Sequence, residues 1–268
     1  MKNKYLVLNQ PGKFKRKENT IDFKLSNEEA LVKIKKIGVC GTDYHAFKGN
    51  QPFFTYPRVL GHELGAEVIK LQSESDDLAI GNRVAIEPYL NCGRCQTCLN
   101  GKSNCCQQLK VLGVHVDGGM STYLKVPVNK LHCSSLLSYD HLATIEFLGI
   151  GAHAVERSNI KKSDTVLVIG AGPIGLSVVQ FAKLKGVKVV VLDFNINRLK
   201  FAQSKLNADK IICPDKDFSP EKLREILNGN LPDAIFDATG NKASMEKSFN
   251  FLCSGGKLIF VGLFIGDI

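Results

Sequence analysis

Thr165-Val-Leu-Val-Ile-Gly-Ala-Gly-Pro-Ile-Gly175 is the stretch whose reading decides the fold of this chain. Five residues suited to a buried strand run straight into a Gly-x-Gly-x-x-Gly turn, and a helical pattern follows over 173–185. Gly170 permits the tight turn, Gly172 lets backbone approach a pyrophosphate, and Gly175 lets the helix pack against the strand. Pro173 and Ile174 complete the turn, and the N–H groups at the helix start face the phosphates with the positive end of the helix dipole. A glycine pattern alone is weak evidence. Asp193 strengthens it, because it ends the second apolar run, 187–192, where a carboxylate binds both ribose hydroxyls and repels a 2′-phosphate. The cofactor expected is therefore NAD rather than NADP. The competing reading of Asp193 is a cap for the following helix. Arg198 sits where it either packs on the adenine side or is a solvated helix arginine.

Outward from that turn, strands alternate with helices from Ser163 onward. Strands are expected at 165–169, 187–192, 209–212, 233–237 and 257–261, and helices near 173–185, 195–206, 219–228 and 242–253, which is βαβ architecture with a parallel sheet. Up to about residue 135 the text is different, with short apolar stretches such as 30–38, 65–70 and 83–86 broken by Gly, Pro, Asn and Asp. That punctuation predicts a barrel-like β domain with long loops. Domains over 1–150 and 151–268 follow, with a helical connection over 138–159. A complete dinucleotide sheet has six strands and only five are found here, so a truncated chain is expected.

Bulk properties narrow the function classes. The 268 residues suffice for two domains, and 44% hydrophobic with 23% charged residues is ordinary for a globular protein. No apolar signal core opens the chain and no apolar run is long enough to span a bilayer, so a cytoplasmic protein without membrane contact is expected. The net charge of +9 raises the question of nucleic acid, but the lysines are scattered. The one dense basic run, Lys13 to Lys17, lacks interleaved aromatics and reads as a solvated hairpin, so no nucleic-acid partner is expected.

The nine cysteines have a different meaning. Cys92-Gly-Arg-Cys95-Gln-Thr-Cys98, closed by Cys105 or Cys106, has the spacing that lets one loop wrap a single tetrahedral zinc ion in a closed, structural site. A disulfide framework is disfavoured, since cysteines at i, i+3 and i+6 are too close to pair well and nothing marks the chain as secreted. An iron–sulfur run would have its fourth cysteine three residues on and followed by proline. A second constellation, Cys40-Gly-Thr42-Asp43-Tyr-His45 with Gly61-His62-Glu63, combines thiolate, imidazole and carboxylate from two loops, the mixed donor set of a catalytic zinc with an open position.

These motifs in order, together with Asp117-Gly-Gly119 and Glu146, resemble the zinc-dependent medium-chain dehydrogenase/reductase family of alcohol and polyol dehydrogenases. The resemblance covers nearly the whole chain. It implies a GroES-like β-barrel catalytic domain and a Rossmann domain, two zinc ions per chain, NAD, and a small-molecule alcohol substrate. It favours Cys106 over Cys105 in the structural site. For the catalytic zinc it implies Cys40 and His62, with Glu146 as third ligand in the manner of the sorbitol and threonine dehydrogenase branches, although Phe147 stands where those branches have proline. Glu63 matches a glutamate that either ligates zinc or stands back for water. Thr42 and His45 match the hydroxyl and the histidine of a proton relay that passes through the nicotinamide ribose, and Asp43 matches the carboxylate that orients the histidine ligand. Hydride transfer from a secondary alcohol of a polyol, sugar or sugar acid is what the resemblance implies, as is a homo-oligomer for a full-length chain. The alternative is a truncated or degenerate relative that binds zinc and nucleotide without turnover.

Overall fold

The computed structural model describes residues 2–22, 24–72, 77–264 and 266–268. The chain divides into two compact units, residues 1–146 and 147–268.

The first unit is antiparallel β structure. Five strands stand in the order Leu131–Cys133, Arg83–Ile86, Glu63–Leu71, Glu29–Gly38, Tyr123–Pro127, and a second sheet has the order Lys13–Thr20, Lys2–Gln10, Arg58–Val59. An isolated bridge between Tyr5 and Ser121 ties the two. Ala30, Val32, Leu64, Ala66, Val68, Val84 and Ile86 alternate along the strands of the larger sheet and pack together as its buried core. This is the GroES-like barrel that the punctuation and the resemblance predict. The basic run becomes a strand, Lys13–Thr20, every residue of which is exposed. Lysines on an edge strand discourage pairing with another chain, a sufficient reason for them here.

The second unit is a parallel sheet in the order Lys210–Ile212, Lys188–Leu192, Thr165–Ile169, Ala234–Asp237, Lys257–Phe260. Successive residues of the strand Thr165–Ile169 face opposite cores: Val166 and Val168 pack with Val178, Val179 and Ala182, while Leu167 and Ile169 pack with Leu223, Leu227 and Ile235. Burial on both faces is why these strands read as unbroken apolar runs. Strand order reverses between Thr165–Ile169 and Ala234–Asp237, which makes the carboxyl ends of those two strands the switch point where a nucleotide crevice belongs. Five strands are present among the described residues, matching the five expected. The last expected helix, 242–253, is shorter, Lys242–Ser248, and tightens into a 3₁₀ turn at Phe249–Phe251.

Candidate active site

The four-cysteine loop is held at its base by a two-stranded ribbon in which Tyr89 and Leu90 pair with Val111 and Lys110. Sulfur atoms of Cys92, Cys95, Cys98 and Cys106 all lie within 4.8 Å of one another. Cys95 Sγ is 3.4 Å from Cys98 Sγ and 3.8 Å from Cys106 Sγ, so these are unbridged thiols gathered around one point. Backbone N–H groups of Cys92 and Gln108 both donate to Cys106 Sγ at 3.3 Å. Hydrogen bonds from Thr97 and from nearby amides hold Cys95 down at about 5, while burial pushes Cys98 up to about 11. Four sulfurs this close, with amides aimed at them, form a donor set suited to a soft divalent cation. Cys105 is exposed and outside the group, its carbonyl accepting from Thr97 Oγ1 at 2.9 Å.

The second constellation is assembled by three segments of the first unit. Cys40 caps a helix, Gly41–Lys48, that the sequence reading did not predict. His62 and Glu63 enter the strand Glu63–Leu71, and Glu146 lies in the first turn of the helix Ile145–Ser158. One donor atom each from Cys40, His62 and Glu63 lie within 4.8 Å of one another, and His62 and Glu63 are buried. Glu63 needs its strand partner to be glycine: a Cβ on Gly38 would stand 2.0 Å from Glu63 Oε2. The Asp117-Gly-Gly119 motif also has a physical role here. Asp117 Oδ1 accepts from Val59 N at 3.0 Å, Gly119 N donates to Gly61 O at 2.8 Å, and a Cβ on Gly118 would lie 2.3 Å from that same oxygen. The turn delivering His62 and Glu63, in which Gly61 has φ +98°, is therefore clamped from behind.

Electrostatically the cluster is acidic. Burial pushes the Cys40 thiol up to about 11, helped by Glu63 and Glu146. Burial first, then Glu146 and Asp43, push Glu63 up to about 7. Buried acids that raise one another's pKa are stabilised together by a cation, and thiolate, imidazole and carboxylate form a zinc donor set. Asp43 Oδ2 accepts from Cys40 N at 2.9 Å, and Asp43 Oδ1 faces His62 Nδ1 at 3.8 Å, too long for a hydrogen bond. Both of those last atoms are buried without a partner. The pairing leaves Nε2 as the ring nitrogen free to ligate, with a carboxylate behind Nδ1 as metal-bound histidines have.

Other expected residues take less central places. Thr42 lies beside the Cys40 sulfur, where its hydroxyl and backbone N–H partly offset the upward push of burial on the thiol. His45 is exposed and its Nδ1 lies 3.1 Å from Asn50 Oδ1, a partner the sequence did not announce. Glu146 stands outside the three-residue cluster, and its Oε1 accepts a hydrogen bond from the Tyr89 hydroxyl. Tyr89 is the residue that sequence reasoning missed, since no motif joins positions 57 apart.

In the second unit, Gly170 has φ +94° and Gly172 caps the helix Pro173–Leu184 with Pro173 at its first turn. Ile174's carbonyl accepts from Ser177 Oγ inside that helix at 2.7 Å. Asp193 Oδ2 accepts from Ala171 N, and Oδ1 from Asn195 N, each at 2.6 Å. The helix Ile196–Leu206 is capped by Asn195, not Asp193. A cavity of about 360 Å³ opens beside this turn, lined among others by Gly170, Asp193, Phe194, Thr239 and Ser244. It lies at the strand ends where a nucleotide's adenosine half belongs. The side chain of Arg198 is exposed and outside that lining.

Barrel, doubly covered parallel sheet, glycine turn and two donor clusters define the class: the chain belongs to the zinc-binding alcohol dehydrogenase family of oxidoreductases. The model of the alcohol dehydrogenase GroES-like domain matches residues 26–135, and that of the zinc-binding dehydrogenase matches 173–268. L-galactonate-5-dehydrogenase of Escherichia coli K12 is 43% identical over 98% of this chain and 77% of its own length. Among solved structures, the alcohol dehydrogenase rspB of E. coli CFT073, complexed with NADH, superposes with a TM-score of 0.88 at 32% identity, covering 97% of this chain and 76% of that one. A zinc-binding dehydrogenase of Sinorhizobium meliloti bound to NADP gives 0.90 at 29%, over 100% and 79%. No helix among the described residues is long and apolar enough to cross a membrane.

Proposed function

We propose that this chain oxidises a secondary alcohol of a polyol, sugar or sugar acid with NAD, using one zinc ion at the reacting centre and a second in the four-cysteine loop. The observation that carries the reading is the convergence of Cys40, His62 and Glu63 donor atoms within 4.8 Å in a buried, acidic setting. Cys40, His62 and Glu63 would hold the zinc, which supplies Lewis acidity toward the substrate hydroxyl, while the nicotinamide accepts hydride. The chain's own residues do the rest. Asp43 stands behind the His62 ring on its Nδ1 side, and the clamp of Gly118 and Gly119 on Gly61 fixes the turn that presents His62 and Glu63. Thr42 and His45 are three residues apart on one helix and so share a face, suiting them to pass a proton from the substrate hydroxyl toward solvent, where exposed His45 can release it.

Solved relatives hold either NADH or NADP, so the cofactor choice rests on Asp193. Both of its oxygens are engaged by backbone N–H groups, which hold the carboxylate beside the glycine turn. A 2′-phosphate there would meet a fixed negative charge. The sugar-acid substrate class is supported by the likeness to an L-galactonate dehydrogenase and by Glu146, which matches the glutamate of the sorbitol and threonine dehydrogenase branches. An intact ligand set and an open nucleotide cavity weigh against a degenerate relative. The test is a panel of polyols, aldonates and simple alcohols followed by NADH absorbance, beside metal analysis of the purified protein. Two zinc equivalents and turnover with NAD on a polyhydroxy substrate are expected; one equivalent, or preference for ethanol-like substrates, refutes the reading.

A further inference from the structure

Two acidic side chains, Glu63 and Glu146, bear on the Cys40 and His62 pair. Glu63 is in the cluster, and Glu146 is near enough to raise the pKa of both Glu63 and Cys40 yet is bonded elsewhere. What holds it is Tyr89, whose hydroxyl donates to Glu146 Oε1. Tyr89 is itself half-buried and not a mobile side chain's anchor: its backbone pairs with Val111 at the base of the four-cysteine loop. The phenol therefore holds one of the two carboxylate oxygens of Glu146 and with it the orientation of the group.

Resting on the zinc reading above, we infer that Tyr89 is a positioning residue that keeps Glu146 aside so that Glu63 completes the Cys40–His62 centre, and that loss of its hydrogen bond lets Glu146 take the place of Glu63. Four atoms carry the inference: the Tyr89 hydroxyl, Glu146 Oε1, a Glu63 oxygen and the Cys40 sulfur. The Tyr89–Glu146 hydrogen bond is lost, the Glu63 carboxylate would leave the metal as the Glu146 carboxylate takes its place, and nothing is oxidised, reduced or transferred.

The test uses the full chain stripped with a chelator and reloaded with Co²⁺, whose visible spectrum reports the ligands directly. In Tyr89→Phe the spectrum of the mixed-ligand site should shift, because Glu146 replaces Glu63 among the donors and approaches from a different element. The tetrathiolate site should keep its spectrum. Tyr89→Phe should also restore metal binding to Glu63→Ala, a rescue that a merely structural tyrosine cannot produce. In a Glu146→Gln background Tyr89→Phe should change nothing at the metal. An unaltered cobalt spectrum in Tyr89→Phe, failure to rescue Glu63→Ala, or an equal effect with Gln at 146 overturns the inference. If Tyr89→Phe melts before loading, Glu146→Gln alone decides: its amide oxygen keeps the bond to Tyr89, so a wild-type spectrum is expected and a changed one refutes. A wild-type protein that takes up only one cobalt overturns the zinc reading and this inference with it, whereas two cobalt ions with a silent Tyr89→Phe overturns this inference alone.

Discussion

Alanine at Gly172 and alanine at Gly175 should produce opposite failures, although the two glycines are three residues apart. A Cβ on Gly175 would lie 1.7 Å from the Gly170 carbonyl oxygen and 2.9 Å from its carbon. Both atoms are backbone, and the shorter distance is only half the 3.4 Å at which ordinary contact begins, so strand and helix must part. Overpacking of this kind costs about 1–3 kcal/mol, and with two backbone atoms in the way the upper end applies. For a unit of this size that is a fall in melting temperature of roughly 10 °C. Gly172 is the converse. It has φ −74°, which any residue adopts, and a Cβ there meets nothing within 4 Å. Gly172→Ala should therefore melt at or slightly above the wild-type temperature, since alanine restricts the unfolded chain by about 0.4–1 kcal/mol. The open space is where a pyrophosphate approaches, and losing a single N–H to phosphate bond worth about 1.5–3 kcal/mol weakens NADH at least tenfold. Thermal melts and NADH fluorescence titrations of both variants decide the matter. A Gly175→Ala protein as stable as wild type, or a Gly172→Ala protein that binds NADH normally, refutes the assignment of the turn.

Replacing Cys95 by Ser should remove one zinc equivalent and lower the melting temperature, because a closed tetrathiolate site contributes folding free energy; metal analysis showing both ions retained refutes the loop assignment. Asp193→Ala should weaken NAD and narrow its advantage over NADP, because it removes the repulsive charge and also frees Ala171 N in the glycine turn. Equal wild-type affinity for both nucleotides defeats that reasoning. The metal-stripped protein should show a pH dependence carried by Glu63, whose folded value of about 7 stands above its ordinary 4.5. The protonated form is thus favoured by folding, so its contribution is complete below 4.5 and is lost as pH rises through 7. Melting temperature should fall across that interval in the stripped protein and stay flatter in Glu63→Gln; parallel pH curves for the two proteins rule out Glu63 as the source.

What the sequence disclosed and what it hid have a common physical cause. The strand runs of the parallel sheet are buried on both faces, so nearly every residue in them is constrained to be apolar and the runs stand out. The glycines of the turn are legible because sterics allow nothing larger at Gly175. The helix Gly41–Lys48 leaves no such mark: its buried residues are only Asp43 and Ala46, and it is fixed by Asp43's hydrogen bond to Cys40 N rather than by an apolar stripe. Choosing Cys106 over Cys105 was likewise beyond spacing, since adjacent cysteines reach the same region and only the 3₁₀ turn at Ser103–Cys105 decides which sulfur points in.

The division of labour proposed between Glu63 and Glu146 is the deepest of these hidden features. As residue types both are legible zinc ligands, and each lies at the start of a regular element beside the same cysteine. Their difference is made by neighbours without catalytic character. Gly38 leaves the space into which Glu63 reaches, and Tyr89 supplies the hydroxyl that satisfies Glu146. A glycine in a strand and a tyrosine before a cysteine loop carry no chemical signature of their own. They become informative only when strand register sets Gly38 opposite Glu63 and the ribbon sets Tyr89 against Glu146. Selection of a ligand among chemically equal candidates is therefore a property of packing, and substitutions that keep every acid and thiol in place can still change which of them holds the metal.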